Sequence, residues 1–101
     1  MTSWHPEAVA EIKQYAKSRQ RGAGKNAGRL FEFARDLPAW RIATLPKLAG
    51  TNPEIRWWRF KGMNIYFRVI PPPLMVLKIG RTTTQKERDD CEADARQRSG
   101  I

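Results

Sequence analysis

Cysteine and histidine are almost missing from this chain: Cys91 and His5 are the only ones in 101 residues. One thiol cannot close a disulfide within the chain, and one imidazole beside it does not make a zinc-type ligand cluster. Long apolar runs are missing as well. The longest, around residues 69–77, is broken by three consecutive prolines and is far too short to span a bilayer. The opening Met1-Thr2-Ser3-Trp4-His5-Pro6 lacks the charged and apolar regions of a signal peptide. Together these absences lead to the expectation of a soluble protein of a reducing, cytoplasmic compartment that works without metal or other cofactor.

Acidic residues are scarce, and unevenly so. Ten Asp and Glu stand against nineteen Lys and Arg, a net charge of +9. Between residues 37 and 86 the cations Arg41, Lys47, Arg56, Arg59, Lys61, Arg68, Lys78, Arg81 and Lys86 face Glu54 alone. After residue 86 the balance reverses, with Glu87, Asp89, Asp90, Glu92 and Asp94 against Arg88, Arg96 and Arg98. The positive field is therefore expected in the middle of the chain. A patch of that density binds polyanions with a steep salt dependence, because each phosphate contact releases counterions. An acidic protein partner would satisfy the same field.

What is present suffices for one core in one domain. Hydrophobic residues make up 41% and include four Trp and four Phe. Pro6 at a first helical position and Glu7 in a first turn mark a helix start, and Ala8, Val9, Ile12, Tyr15 and Ala16 follow at helical spacing. Residues 18–24 read as a turn. A second helix is expected over about residues 25–36, where Ala23, Ala27, Leu30, Ala34 and Leu37 form the seam of a helix hairpin. Phe31 and Phe33 lie off that seam and should reach the sheet or solvent. Leu37-Pro38 ends the helix, and residues 38–53 are punctuated by Pro38, Pro46, Gly50 and Pro53.

Three strands should follow, at about residues 54–61, 64–70 and 74–80, joined by Gly62-Met63 and by the triple proline 71–73. Residues 85–98 read as a short, highly charged helix. The fold class is thus α+β: an N-terminal two-helix hairpin packed on a three- to four-stranded antiparallel sheet, with a short C-terminal helix.

Strand parity sorts the charges. One assignment turns Trp58, Phe60, Ile65, Phe67, Val69, Met75, Leu77 and Ile79 toward the helices. The opposite face then shows Trp57, Arg59, Lys61, Tyr66, Arg68 and Lys78, with Val76 among them. A surface both cationic and aromatic suits single-stranded RNA, since Lys and Arg hold phosphates while Trp and Tyr stack bases. The alternative is that Trp57 and Tyr66 cover a second, minor core beneath the loop or the C-terminal helix.

The order of elements, and several stretches within it, resemble the RelE/ParE superfamily of bacterial toxins from toxin–antitoxin pairs, particularly its HigB-like, phage-associated branch. His5-Pro6-Glu7-Ala8-Val9-Ala10-Glu11-Ile12 is similar to the ParE-like opening. Thr44-Leu45-Pro46-Lys47-Leu48 with Glu54-Ile55-Arg56 resembles the HigB-like "Pro-Leu-x-Lys-x-Leu … Glu-Leu-Arg". Gly62-Met63-Asn64-Ile65-Tyr66-Phe67-Arg68-Val69 resembles the "Gly-x-Tyr-Arg-Val" strand, and residues 80–86 the end of the last family strand. Glu92-Ala93 and Ala95-Arg96-Gln97-Arg98 resemble the closing helix. The likeness covers about 90 of the 101 residues and makes residues 1–101 a single toxin-like domain. Asn64-Ile65 stands where the family strand has Tyr-Arg, and Ile79 where HigB-like proteins commonly have His.

The resemblance implies a metal-independent endoribonuclease that cuts mRNA, usually on the ribosome, and a cognate antitoxin that covers the basic surface. By position, Arg59 and Lys61 are the candidate phosphate or base residues, and Arg81 the candidate stabiliser of the phosphorane. Lys is a poor base near neutral pH unless burial or neighbouring cations lower its pKa, which crowding on one face would supply. Arg56, Trp57, Tyr66, Arg68, Lys78 and Lys86 are the expected nucleic-acid contacts. Two further readings stay open: a ParE-like inhibitor of DNA gyrase, and a non-catalytic, phage-associated binding or regulatory member. His5 precedes the first helix, away from the sheet, and acidic neighbours disfavour a Cys91 thiolate. The acid-rich tail is expected to be able to fold back on the basic sheet.

Overall fold

In the computed structural model, residues 2–50, 54–69 and 74–100 are described. A two-residue strand, β1 (Ser3–Trp4), leads into α1 (Pro6–Ala16), α2 (Ala23–Arg35) and a four-residue helix, α3 (Ala39–Ile42). Strands β2 (Ile55–Phe60), β3 (Met63–Arg68) and β4 (Met75–Arg81) follow, and α4 (Gln85–Arg98) closes the chain. The architecture is α+β, with one four-stranded mixed sheet in the order β1-β4-β3-β2. The expected triple-proline link at residues 71–73 lies outside the described residues, as do Pro53 of the punctuated stretch and Ile70 of the expected second strand.

Local chemistry accounts for the helix ends. Pro6 occupies the start of α1, and the lone imidazole caps it, His5 Nδ1 accepting the Glu7 N–H at 3.2 Å. Gly22, at a φ of 75°, turns the chain into α2 through the left-handed region, which glycine enters without a Cβ clash. α2 begins at Ala23 rather than 25, and Ala23, Ala27, Leu30 and Ala34 are buried along the expected seam. Thr84 and Glu87 make a reciprocal capping box at the start of α4.

The sheet departs from the expectation at three points. First, β1 pairs parallel with β4 (Ser3↔Met75, Trp4↔Val76), so the sheet is mixed rather than antiparallel throughout. Second, the tight turn between β2 and β3 is Lys61-Gly62, not Gly62-Met63. Both residues have positive φ, 53° and 76°, the pairing a two-residue hairpin turn of the primed type requires. Lys61 therefore ends in the turn and not on the strand face.

Third, the register between β3 and β4 shifts after Tyr66: Tyr66 faces Lys78 but Phe67 faces Val76, leaving Leu77 as an extra residue. Such a bulge reverses side-chain parity on one strand. Val76 and Ile79 consequently join the core shared with α1 and α2, together with Ala8, Leu30, Ile65 and Phe67. Leu77 and Met75 turn to the other face, against the parity reading that put them with the helices. There a second core of Leu48, Ile55, Tyr66, Leu77, Cys91 and Ala95 forms under α4.

Helix α1 packs against both α2 and β4, and α4 packs on β4 from the other side. Phe33 stacks on Trp58 at 3.9 Å between ring centroids, while Phe31 stays exposed beside Trp4. No helix among the described residues is long and apolar enough to cross a membrane.

Candidate functional site

Residues 57 and 59 on β2 and 64, 66 and 68 on β3 share the sheet face that looks toward α4. That face was expected to be an open cationic platform, and most of it is occupied by the protein itself. Tyr66 is 1% exposed within the second core, and its hydroxyl accepts a hydrogen bond from Asn64 Nδ2 at 3.1 Å. Burial raises its pKa, with the Asn64 hydrogen bond opposing that shift only in part. A buried phenol cannot stack a base, so the second-core alternative describes Tyr66, and half-buried Trp57 packs against the same core.

The cations of the face are engaged too. Lys78 Nζ lies 2.7 Å from Glu11 Oε2 and 2.8 Å from Asp94 Oδ2, with a side chain 14% exposed. Burial would lower its pKa, but the Asp94 and Glu11 carboxylates more than offset this and raise it. Lys78 thus stays protonated and is no proton acceptor. Arg68 donates to the Ser99 carbonyl at 3.0 Å. Arg56 points to the other face, pairs with Glu54 at 2.9 Å and donates to the Leu45 carbonyl at 2.6 Å. Lys86 is well exposed on α4 and pairs with Asp90 at 3.1 Å.

The three residues expected to share catalysis are separated. Arg59 lies on the α4 side, Lys61 in the hairpin turn, and Arg81 lines a cavity on the α1 side with Tyr15, Ser18 and Gln20. Arg81 shares its cavity with Lys78, which is held by Glu11 and Asp94, whereas Arg59 meets a larger set of candidate groups. Arg59 lines a cavity of about 150 Å³ with Trp57, Asn64 and Tyr66 from the sheet, Leu48 from the preceding loop, and Arg88 and Glu92 from α4.

Asn64, 2% exposed, organises this cleft. Its Oδ1 accepts from Arg59 Nε and from Thr82 Oγ1, each at 3.1 Å, while its Nδ2 donates to Tyr66. Arg59 also reaches the Thr82 carbonyl at 3.4 Å. The guanidinium is thereby oriented from behind. Opposite it, Arg88 Nε is buried with no hydrogen-bond partner among the described residues. Arg88 and Glu92 are one helical turn apart on α4 and reach the same cavity, a spacing visible in the sequence but assigned there to an acid-rich tail.

Two guanidiniums, a carboxylate and an indole therefore border one concavity. The guanidiniums can take a phosphate bidentately, the indole can stack a base, and the carboxylate can accept a proton. Cys91 sits on the buried face of α4, and burial pushes its thiol up to about 11, which leaves it unreactive. Among the described residues no three His, Cys, Asp or Glu side chains are grouped to hold a metal ion. Comparisons with protein-family models, with curated proteins and with solved structures find no match.

Proposed function

We propose that this chain is a toxin of the RelE/ParE type, its two N-terminal helices forming a hairpin over the sheet, and that it cuts mRNA in the cleft between β2–β3 and α4. The observation carrying this reading is the convergence of Trp57, Arg59, Arg88 and Glu92 on one cavity. Trp57 stacks a base and Arg59 and Arg88 hold the scissile phosphate. The Glu92 carboxylate takes the proton of the 2′-hydroxyl as its oxygen attacks phosphorus. The 5′-oxygen departs, collecting a proton from water, and leaves a 2′,3′-cyclic phosphate and a 5′-hydroxyl. Arg59 and Arg88 neutralise the charge that builds on the phosphorane oxygens. The substrate places the protein in the cytoplasm, at the ribosome. A cognate antitoxin has an apolar trough to seat on, lined by Trp4, Val9, Ile12, Ala27 and Phe31, the last 45% exposed.

The internal engagement of Arg56, Arg68, Tyr66 and Lys78 favours a second reading, a member of the same fold that binds RNA without cutting it. Primer extension on mRNA from a translation reaction separates the two. Wild-type protein should cut. Glu92→Gln should slow cutting by about 10²- to 10⁴-fold with binding kept. Trp57→Ala should weaken RNA binding by roughly tenfold, from a stacking contribution of about 1–3 kcal/mol. Binding without cleavage selects the second reading. Loss of DNA gyrase supercoiling in a parallel assay, with RNA untouched, selects the gyrase inhibitor instead.

A further inference from the structure

Several cations whose side chains hold no partner among the described residues lie elsewhere than the sheet face. Lys17, Arg19 and Arg21 in the α1–α2 turn, Lys25 on α2, Lys61 in the β2–β3 turn and Arg81 at the end of β4 are all exposed. None of their side chains makes a hydrogen bond or ion pair among the described residues. The topology gathers these segments at one end of the molecule. α1 starts beside the beginning of β4, His5 N–H donating to the Val76 carbonyl at 2.8 Å, and runs along it to Glu11, which accepts from the Ile79 N–H. Beyond Glu11, Ser18 and Gln20 line the same cavity as Arg81. The β2–β3 turn closes against this end, with the Thr82 N–H donating to the Gly62 carbonyl at 2.9 Å.

The acids nearest this pole are already engaged, including Glu11, which lines the Arg81 cavity. Glu87 is occupied by the Thr83 and Thr84 cap, Asp90 by Lys86, Asp89 by Gln85 and Glu11 by Lys78 and Arg98. The pole also adjoins the cleft. Arg59 bridges to the Thr82 carbonyl, and Lys61 lies two residues further along the same hairpin arm. Lys61 moreover holds the left-handed backbone at a cost of about 1 kcal/mol that asparagine or glycine would largely avoid, so what lysine adds at that point is charge.

We propose that a single RNA strand seated in the cleft continues across this pole, its phosphates tracked by Lys61, Arg81, Lys17, Arg19 and Arg21. The inference rests on the cleft reading above and extends it from one nucleotide to a run of them. RNA fits better than an acidic protein because the pole's cavity is lined by Gln14, Ser18 and Gln20 beside the mutually paired Glu11 and Lys78, and adjoins, through the Arg59–Thr82 contact, the cleft that holds the Trp57 indole. Single-strand grooves combine such a cationic track with a stacking platform over roughly 4–16 nucleotides.

The test uses fluorescence anisotropy across a salt series with two probes, an oligouridylate of about 12 nucleotides, within that range, and a triuridylate. The quadruple variant Lys17→Gln, Arg19→Gln, Arg21→Gln, Lys61→Asn alters only exposed turn residues. It should bind the long probe at least tenfold more weakly and bind triuridylate as the parent does. Its salt slope for the long probe should fall by about 0.7 for each phosphate that is no longer neutralised. Arg35→Gln, at the far end of α2, should change neither. Unaltered affinity and slope for the long probe would overturn the proposal. So would displacement of the long probe by a polyglutamate peptide of equal charge as readily as by RNA, which would assign the pole to an acidic protein. If instead Trp57→Ala with Arg59→Gln leaves both probes bound as in the parent, the cleft reading fails while the weakened binding of the quadruple variant identifies the pole as the RNA site.

Discussion

Glu11 is the carboxylate on which the placement of α4, and so of the cleft, depends. Its oxygens lie 2.7 Å from Lys78 Nζ and 2.8 Å from Arg98 Nη1, and one also accepts from the Ile79 N–H at 3.2 Å. Lys78 and Arg98 have side chains only 14% and 12% exposed. Glu11→Gln keeps the volume and removes the charge. Orphaning a buried ion pair costs about 3–5 kcal/mol. Here the loss is smaller, because Asp94 remains 2.8 Å from Lys78, and Glu7 remains 3.1 Å from Arg98. About 2–3 kcal/mol is expected, from two charge-assisted hydrogen bonds partly replaced. For a domain of this size that lowers Tm by roughly 10–20 °C, and it lowers the urea midpoint by about 1–2 M.

The pH dependence has a definite sign. Burial alone would raise the Glu11 pKa, but hydrogen bonds from Arg98, Lys78 and Ile79 hold it below the ordinary 4.5. Its contribution is therefore complete above pH 4.5 and is lost as pH falls through the lower folded value. Urea unfolding of parent and Glu11→Gln, followed by tryptophan fluorescence, should show two curves that are well separated near neutral pH and converge in acid. Equal midpoints near neutral pH, or a gap that persists undiminished in acid, would refute the reasoning.

Gly80 permits the close approach of α4 to β4. A Cβ there would lie 2.6 Å from Cys91 Sγ and 3.2 Å from Lys78 Cε, so Gly80→Ala should destabilise by about 1–3 kcal/mol in the same assay. The Cys91 thiol should resist an aromatic disulfide reagent at mildly alkaline pH in the native protein and react fully only through the urea transition. Lys61→Asn should raise stability by about 0.5–1 kcal/mol, because asparagine tolerates the left-handed turn position. Gly62→Ala should lower it by about 1 kcal/mol or more, through a φ of 76° and a Cβ 3.1 Å from Thr83 Cγ2.

Local periodicity made α1, the α2 seam and three of the four strands readable before any coordinates. The seam Ala23, Ala27, Leu30 and Ala34 is a regular pattern, and patterns survive folding. Strand β1 was not legible, since two residues carry no period. The bulge at Leu77 was not legible either, and one extra residue exchanges the fates of Val76 and Leu77. The charges were the least readable. Lys78 finds Glu11 across 67 residues and Arg98 finds it across 87, and no local rule anticipates such pairs. A cation count therefore located the field in the middle of the chain, whereas folding engages much of it internally and leaves the α1–α2 turn bare. Asn64, where the resemblance fails, proves to be the residue that orients Arg59.

The two-residue length of β1 has a consequence for self-association. Past His5, no described residue pairs with this edge of β4 through its backbone, which in an ordinary sheet would invite another chain to add a strand. Two side chains stop that edge: the Glu11 carboxylate takes the Ile79 N–H, and the Arg98 guanidinium takes the Leu77 carbonyl at 3.0 Å. The ion cluster that fastens α4 thus also acts as a gatekeeper against intermolecular β-pairing, and any change that loosens Glu11 or Arg98 should convert a stability defect into aggregation.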